Sequence, residues 1–182
     1  QELVVPVEAH VMALAGLVFA NGDSEGGGGP VEADDGFMEL ITDEFELRWR
    51  IDGDEIEFHV GGATGGYVAI GFNPSQAMAD ADYIIGYVSG SDVMVRDDFG
   101  VGMFAHNADT NIGGNDDLTL IDGEESDGFT RIRVRRPLAA GDEYDQELAA
   151  GEDLDVIWAL GPDDADNFSS HHKARGSFTI QL

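Results

Sequence analysis

The residues of this chain that could do chemistry are few. His171 and His172 stand side by side in "NFSSHHKARGSF", flanked by Lys173 and Arg175, in a protein with five histidines, no cysteine and nine basic residues. Neutral imidazole is a common metal ligand and a good hydrogen-bond partner. Adjacent residues of a strand point to opposite faces, so one ring can enter a pocket while the other faces solvent. Met78 offers a thioether from the polar run "NPSQAMADAD"; a methionine standing alone there would ordinarily fill a gap against an aromatic ring. His106 lies in "FGVGMFAHNADTNIGG", read as a long Gly/Asn/Asp loop. His59 alternates with Phe58 and Val60, which turns it outward from the core face and assigns it no chemistry. Arg131, Arg133 and Arg135 share one strand face opposite Ile132 and Val134, a row suited to neutralising neighbouring carboxylates; Arg136 completes the run. Asp109, Asp116 and Asp117 offer a calcium reading, carboxylates on a glycine-bent loop, although their spacing is not that of an EF-hand. No Ser/His/Asp order and no HExxH motif supports hydrolysis, so the chain is expected to be no enzyme.

Composition narrows the setting. The 182 residues carry 37 acidic groups against nine basic ones, a formal charge of -28, with 42% hydrophobic residues. That is too apolar for a disordered acidic tail. Eight of the cations are Arg and only Lys173 is Lys. A dense carboxylate surface of this kind suits a high-salt environment, where screening relieves its repulsion. It disfavours nucleic acid as a partner. Without cysteine there is no disulfide, thiolate zinc site, iron–sulfur cluster or thioether-linked haem. Gln1 in place of an initiator Met fits a processed N-terminus and an extracellular or cell-surface location.

The elements that must position these residues are strands. Residues 1–22 read as an apolar arm, with Leu3, Val5, Val7, Ala9 and Val11 on alternate positions; Pro6, Glu8 and His10 argue against a membrane span. Residues 23–30 form a glycine-rich linker, and 31–182 the main domain. There, "FELRWRI", "EIEFHV", "GYVAIGF", "DYIIGYV", "DVMVRD", "LTLIDGEE", "FTRIRVRRPL", "DVIWALG" and "GSFTIQL" are short β-type runs separated by Gly, Asp and Asn. They imply an all-β antiparallel sandwich or barrel. Asp52-Gly53 marks a hairpin, and "PSQAMADAD" has room for one helical turn. The arm is expected either to fold back as an edge strand or to add to a neighbouring copy, which would build a filament.

"GYVAIGFNPSQAMADADYIIGYV", "VMVRDDFG", "DGFTRIRVRRPLAAGDEYDQEL" and "DVIWALG…HHKARGSFTI" follow one another in the order found in the DOMON superfamily, which the chain resembles from about Asp34 to Leu182. The resemblance implies an immunoglobulin-like β-sandwich holding a b-type haem or a sugar-like ligand between loops at one end. Carried onto this sequence, the axial haem ligands are Met78 and one of His171 or His172, with His171 favoured and His172 auxiliary. Thioether plus imidazole is a known haem pair. His106 becomes a propionate partner or replacement ligand, and Arg175 a propionate partner. With both axial positions filled by protein, the implied activity is electron transfer, to a redox partner protein or to neighbouring copies. The competing readings are a carbohydrate- or small-ligand-binding module without haem, and a purely structural filament subunit.

Overall fold

The computed structural model describes residues 29–182. The arm expected over residues 1–22, and the linker up to residue 28, lie outside the described residues. The elements in chain order are β1 (Val31–Glu32), β2 (Met38–Ile41), β3 (Phe45–Asp52), β4 (Glu55–Gly62), β5 (Val68–Phe72), β6 (Asp82–Ser89), β7 (Asp92–Gly102), β8 (Ala105–Ala108), α1 (Asp109–Ile112), β9 (Thr119–Ser126), β10 (Phe129–Pro137), β11 (Asp153–Leu160) and β12 (Ala174–Gln181). They form two six-stranded antiparallel sheets, ordered β1-β2-β3-β4-β10-β9 and β12-β11-β5-β6-β7-β8. The fold is thus an all-β antiparallel sandwich.

Period-two alternation builds its core. In β3, Phe45, Leu47 and Trp49 face inward and pair across the ladder with Gly62, Val60 and Phe58 of β4. Ile132 and Val134 of β10 extend that layer. The second sheet answers with Val68, Ile70, Phe72, Ile84, Val156, Leu160 and Ile180. Phe45 stacks on Trp158 with ring centroids 4.8 Å apart, and Phe58 meets Phe72 at 5.2 Å, joining the sheets. Each fully buried large side chain contributes about 1.5–3 kcal/mol.

The hairpin marked by Asp52-Gly53 forms between β3 and β4, with Gly53 and Asp54 as its turn residues and Gly53 at the left-handed φ of 68°. Two local expectations are corrected. "PSQAMADAD" forms no helical turn: Asn73, Ala77 and Asp80 have positive φ, and Gln76 bridges Ala79. The helical turn is α1, which follows β8, and His106 therefore lies on a strand rather than in a long loop. Among the described residues no helix is long and apolar enough to cross a membrane.

Candidate functional site

In β5, Val68, Ile70 and Phe72 enter the core, which leaves Tyr67, Ala69 and Gly71 on the outer face of the second sheet. In β6, Ile84 faces in, and Tyr83, Ile85 and Tyr87 face out. The outer set is buried nonetheless: Tyr67, Ala69, Tyr83 and Ile85 are each no more than 7% exposed. Strands buried on both faces read as near-continuous apolar runs, as "GYVAIGF" and "DYIIGYV" do. Two loops supply the cover.

Residues 73–81, between β5 and β6, carry Met78. Its backbone N–H donates to the Met103 carbonyl at 3.4 Å, and the Tyr83 hydroxyl donates to its carbonyl at 3.5 Å. A Cβ on Gly100 would collide with the Met78 carbonyl, so glycine lets this loop lie directly on β7. The Met78 side chain is half-buried.

Residues 161–173, between β11 and β12, carry the two histidines. Tyr67 donates its hydroxyl to the Ser170 carbonyl at 3.0 Å, Ala165 is buried against the Tyr67 cluster, and the Phe168 ring lies 4.9 Å from that of Tyr87. His171 is exposed and His172 half-buried. Lys173 N–H donates to the Leu160 carbonyl at 2.7 Å, closing the loop. Arg175 sits opposite Ala159 in the ladder, is exposed, and has no ion-pair partner among the described residues.

The loops leave opposite ends of the sheet, because Leu160 pairs with Val68 whereas Met78 follows Phe72. The single-end arrangement expected from sequence is therefore replaced by two loops over one face, with the Val68–Phe72 stretch of about 13 Å between their roots. Side chains link them without a break. The Arg96 guanidinium lies 4.4 Å above the Phe168 ring and is paired to Asp98. Asp98, fully buried, also bonds His106 Nδ1, and the His106 ring lies 5.8 Å from that of Tyr83, which reaches Met78. Burial pushes the Asp98 carboxyl upward, but the hydrogen bonds from His106 and Arg96 outweigh it and hold it below the ordinary carboxylate value. Burial alone raises the Tyr67 phenol to about 12 and raises that of Tyr83 as well, so both rings stay neutral.

The Met78 loop and His106 reach this face beside Tyr83, the histidine loop reaches it beside Tyr67 and Tyr87, and Arg175 lies on its edge strand. Tyr67, Tyr83, Tyr87, Arg96, Asp98 and Phe168 are the members that sequence reasoning missed. Their available signal was the doubly apolar character of β5 and β6.

Two other sequence candidates fall elsewhere. His59 does lie on the outer face of the first sheet, but it is buried, with Phe37 4.5 Å from its ring and Glu57 bonded to Nε2 at 2.8 Å. It lines an open hollow of about 540 Å³ with Arg48, Arg131 and Arg133, whose guanidiniums are paired to carboxylates. Arg131, Arg133 and Arg135 form ion pairs with Glu46, Asp122 and Glu57, as the charge-neutralising reading requires.

Comparison with known proteins gives the family. Residues 41–161 match the DOMON domain. The chain belongs to the DOMON family. The matched span includes Met78 and His106 and stops short of His171 and His172. In sequence this DOMON domain is 29% identical over 141 residues to DBH-like monooxygenase protein 1 of Homo sapiens, covering 76% of this chain and 22% of that protein. It is 31% identical over 100 residues to MOXD1 homolog 2 of Drosophila melanogaster, covering 54% of this chain and 13% of that one. The chain thus spans about a fifth or less of the curated relatives it matches. In structure it is similar to the cytochrome domain of Myriococcum thermophilum cellobiose dehydrogenase, with TM-score 0.59 and 12% identity over 84% of this chain and 87% of that one. It is also similar to the cytochrome b domain of pyranose dehydrogenase from Coprinopsis cinerea, with TM-score 0.55 and 14% identity over 84% and 80%.

Proposed function

We propose that this DOMON domain is a b-type cytochrome that carries single electrons and catalyses no reaction of its own. Met78 and one of His171 or His172 would hold the haem on the outer face of the second sheet. The observation that supports this reading is that a half-buried thioether loop and a histidine loop both pack on the same aromatic-lined face, from its two ends. The donor types suit the cofactor, a soft sulfur, imidazole nitrogens and Arg175 available for carboxylates at the rim, while Tyr67, Ala69 and Ile85 beneath are already covered by the loops, a cover that haem would have to displace. When bound, haem b supplies a ferric/ferrous couple.

The chain's residues do the rest. Tyr67 and Phe168 anchor the histidine loop, and Tyr83 and Gly100 seat the Met78 backbone. His172 is more enclosed than His171, which favours it as the inward ring and leaves His171 to solvent. Asp98 fixes the tautomer of His106 by accepting from Nδ1, so that Nε2 is the atom His106 offers to the face. With two protein ligands on a metal, no position stays open to oxygen, which favours electron transfer. The partner is a redox protein or a neighbouring copy, met outside the cell, and the arm of residues 1–22 would join copies into a filament. The alternative, a carbohydrate- or small-ligand-binding module that uses the same face without iron, is separated from the cytochrome by the absence of haem bands.

The deciding experiment is a visible spectrum of protein purified from its native source, followed by Met78→Ala, His171→Ala and His172→Ala. Met78 and one histidine should each abolish the low-spin spectrum, and the other histidine should change it little. A colourless native protein, or three indifferent variants, overturns the cytochrome reading.

A further inference from the structure

A second chemical site lies inside the sandwich, at the end where the Met78 loop enters β6. Asp82 opens β6, Asp97 lies on β7, and Asp145 comes from the segment after β10. One carboxylate oxygen from each stands within 4.8 Å of the others, and all three are buried. Oxygens bound on opposite sides of one Ca²⁺, each about 2.4 Å from it, stand about 4.8 Å apart.

Carboxylates in an acidic protein cluster by chance, but these have an unmet demand. Asp82 is 0%, Asp97 3% and Asp109 1% exposed. Asp82 Oδ1, Asp97 Oδ1 and both oxygens of Asp109 have no hydrogen-bond partner. Buried polar atoms are almost always paired, and an unpaired ionised oxygen is among the costliest groups to bury.

The groups around them do not meet that demand. Arg136, 2% exposed, pairs with Asp82 and stands 3.7 Å from Asp145 Oδ1. The Asp117 N–H donates to Asp97 Oδ2 at 3.1 Å, and the Gln146 N–H to Asp82 Oδ2 at 2.8 Å. One guanidinium faces four carboxylates, so it cannot serve as the counter-ion of them all.

We propose that Asp82, Asp97 and Asp145, with Asp109 beside them, bind a hard divalent cation, Ca²⁺, through oxygen ligands alone. Arg136 is the fixed cation of the site and Ca²⁺ the exchangeable one. Asp109 begins α1, Asp97 lies on β7 and Asp82 follows the Met78 loop, so the ion would tie these segments together at one point. The proposal stands apart from the haem: it concerns the inner side of the sheet and needs no ligand on the outer face.

The test uses the full chain, stripped with EGTA and kept in molar KCl so that ionic strength is constant. At a Ca²⁺ concentration about one hundred times Kd, the Tm should rise by roughly 5–10 °C, and equal Mg²⁺ should do much less. Tb³⁺ as a probe should show emission sensitised by Tyr144, the neighbour of Asp145 in the chain, and Ca²⁺ should displace it. Asp97→Asn should weaken Tb³⁺ binding by more than about tenfold, the loss that even an outer partner of a metal site brings. Asp92→Asn, at an exposed carboxylate at the start of β7, should not. A wild-type Tm that ignores Ca²⁺ overturns the proposal without need of any variant. So does Tb³⁺ binding that is equal in wild type and Asp97→Asn, which would place the ion on the acidic surface.

Discussion

Glu57 and His59, two residues apart on β4, share one hydrogen bond under a cover of Phe37 and arginines, and the pair responds to pH in a way that follows from its burial. Desolvation lowers His59 from its ordinary value of 6.5, so the ring is neutral in the fold and donates Nε2–H to Glu57. Desolvation pushes Glu57 upward, but hydrogen bonds from His59 and Arg135 bring it below its ordinary 4.5. For both groups the folded value lies below the unfolded one, so the folded state binds fewer protons and stability falls with acid. The His59 contribution is complete above pH 6.5 and begins to be lost below it; that of Glu57 is complete above 4.5 and is lost as pH falls through its lowered folded value. Urea unfolding of the wild type and of Glu57→Gln, in constant salt, should show a stability gap that widens as pH falls from 6.5 toward about 5, because the variant lacks the carboxylate that holds His59 up, and that narrows below 4.5 as Glu57 itself takes a proton. A gap that goes on widening below 4.5 contradicts the assignment. Alternation along "EFHV" correctly set the direction of His59, but its burial was not legible, since Phe37, which covers it, comes from the turn before β2. Met78 and the histidine pair were legible as chemistry-bearing types, whereas Asp98, which holds His106, looked like any other of the 37 acids.

At the scale of the element, β10 places one residue type in two environments. Arg133 lies on the outer face, 38% exposed, against an Asp122 that is 51% exposed. Arg136 is three residues on and has the inward parity of Ile132 and Val134; it and Asp82 are almost wholly buried. An exposed pair is worth about 0.2–1 kcal/mol, whereas removing one partner of a buried pair costs about 3–5 kcal/mol. Arg133→Ala should therefore lower unfolding free energy by less than about 1 kcal/mol, and Arg136→Ala by about 3–5 kcal/mol. Equal losses from chemical denaturation would show that the two faces of β10 are not as different as burial implies. The parity of Arg136 was readable in "RIRVRR", but its carboxylate partner was not, because Asp82 is 54 residues away. Long alternating strands such as β3, β4 and β10 announce themselves through repeated apolar positions. β1, β2 and β8, two to four residues each, contain too few alternations to stand out and depend on a neighbouring strand for their existence. The Met78 loop is irregular for the same reason that it is useful: left-handed residues at Asn73, Ala77 and Asp80 bring its main chain onto β7, where a helical turn would have held it away.

The whole molecule carries a formal charge of -28, and its few cations are almost all committed. Arg48, Arg50, Arg96, Arg131, Arg133, Arg135, Arg136 and Lys173 each meet at least one carboxylate, which leaves Arg175 as the one cation without an ion pair among the described residues. Most carboxylates therefore have no local counter-charge, and their repulsion acts across a small surface. Added salt has two opposed effects. It weakens the exposed pairs, each worth less than about 1 kcal/mol, and it screens the repulsion among the unmatched acids. At molar salt the Debye length is about 3 Å, shorter than the spacing of most surface charges, so the second effect involves many more charge pairs than the first. The buried Arg136–Asp82 pair is shielded from salt and keeps its contribution. The unfolding midpoint should accordingly rise steadily from dilute buffer to molar KCl, with EGTA present throughout so that trace Ca²⁺ at the Asp82–Asp97–Asp145 cluster cannot imitate the effect. Sucrose at matched osmolality separates screening from exclusion, since it strengthens burial without screening charge. If KCl raises the midpoint no more than sucrose does, exclusion explains the stabilisation and charge repulsion is not what limits this fold; if the midpoint falls, the exposed ion pairs matter more than the surplus of acid.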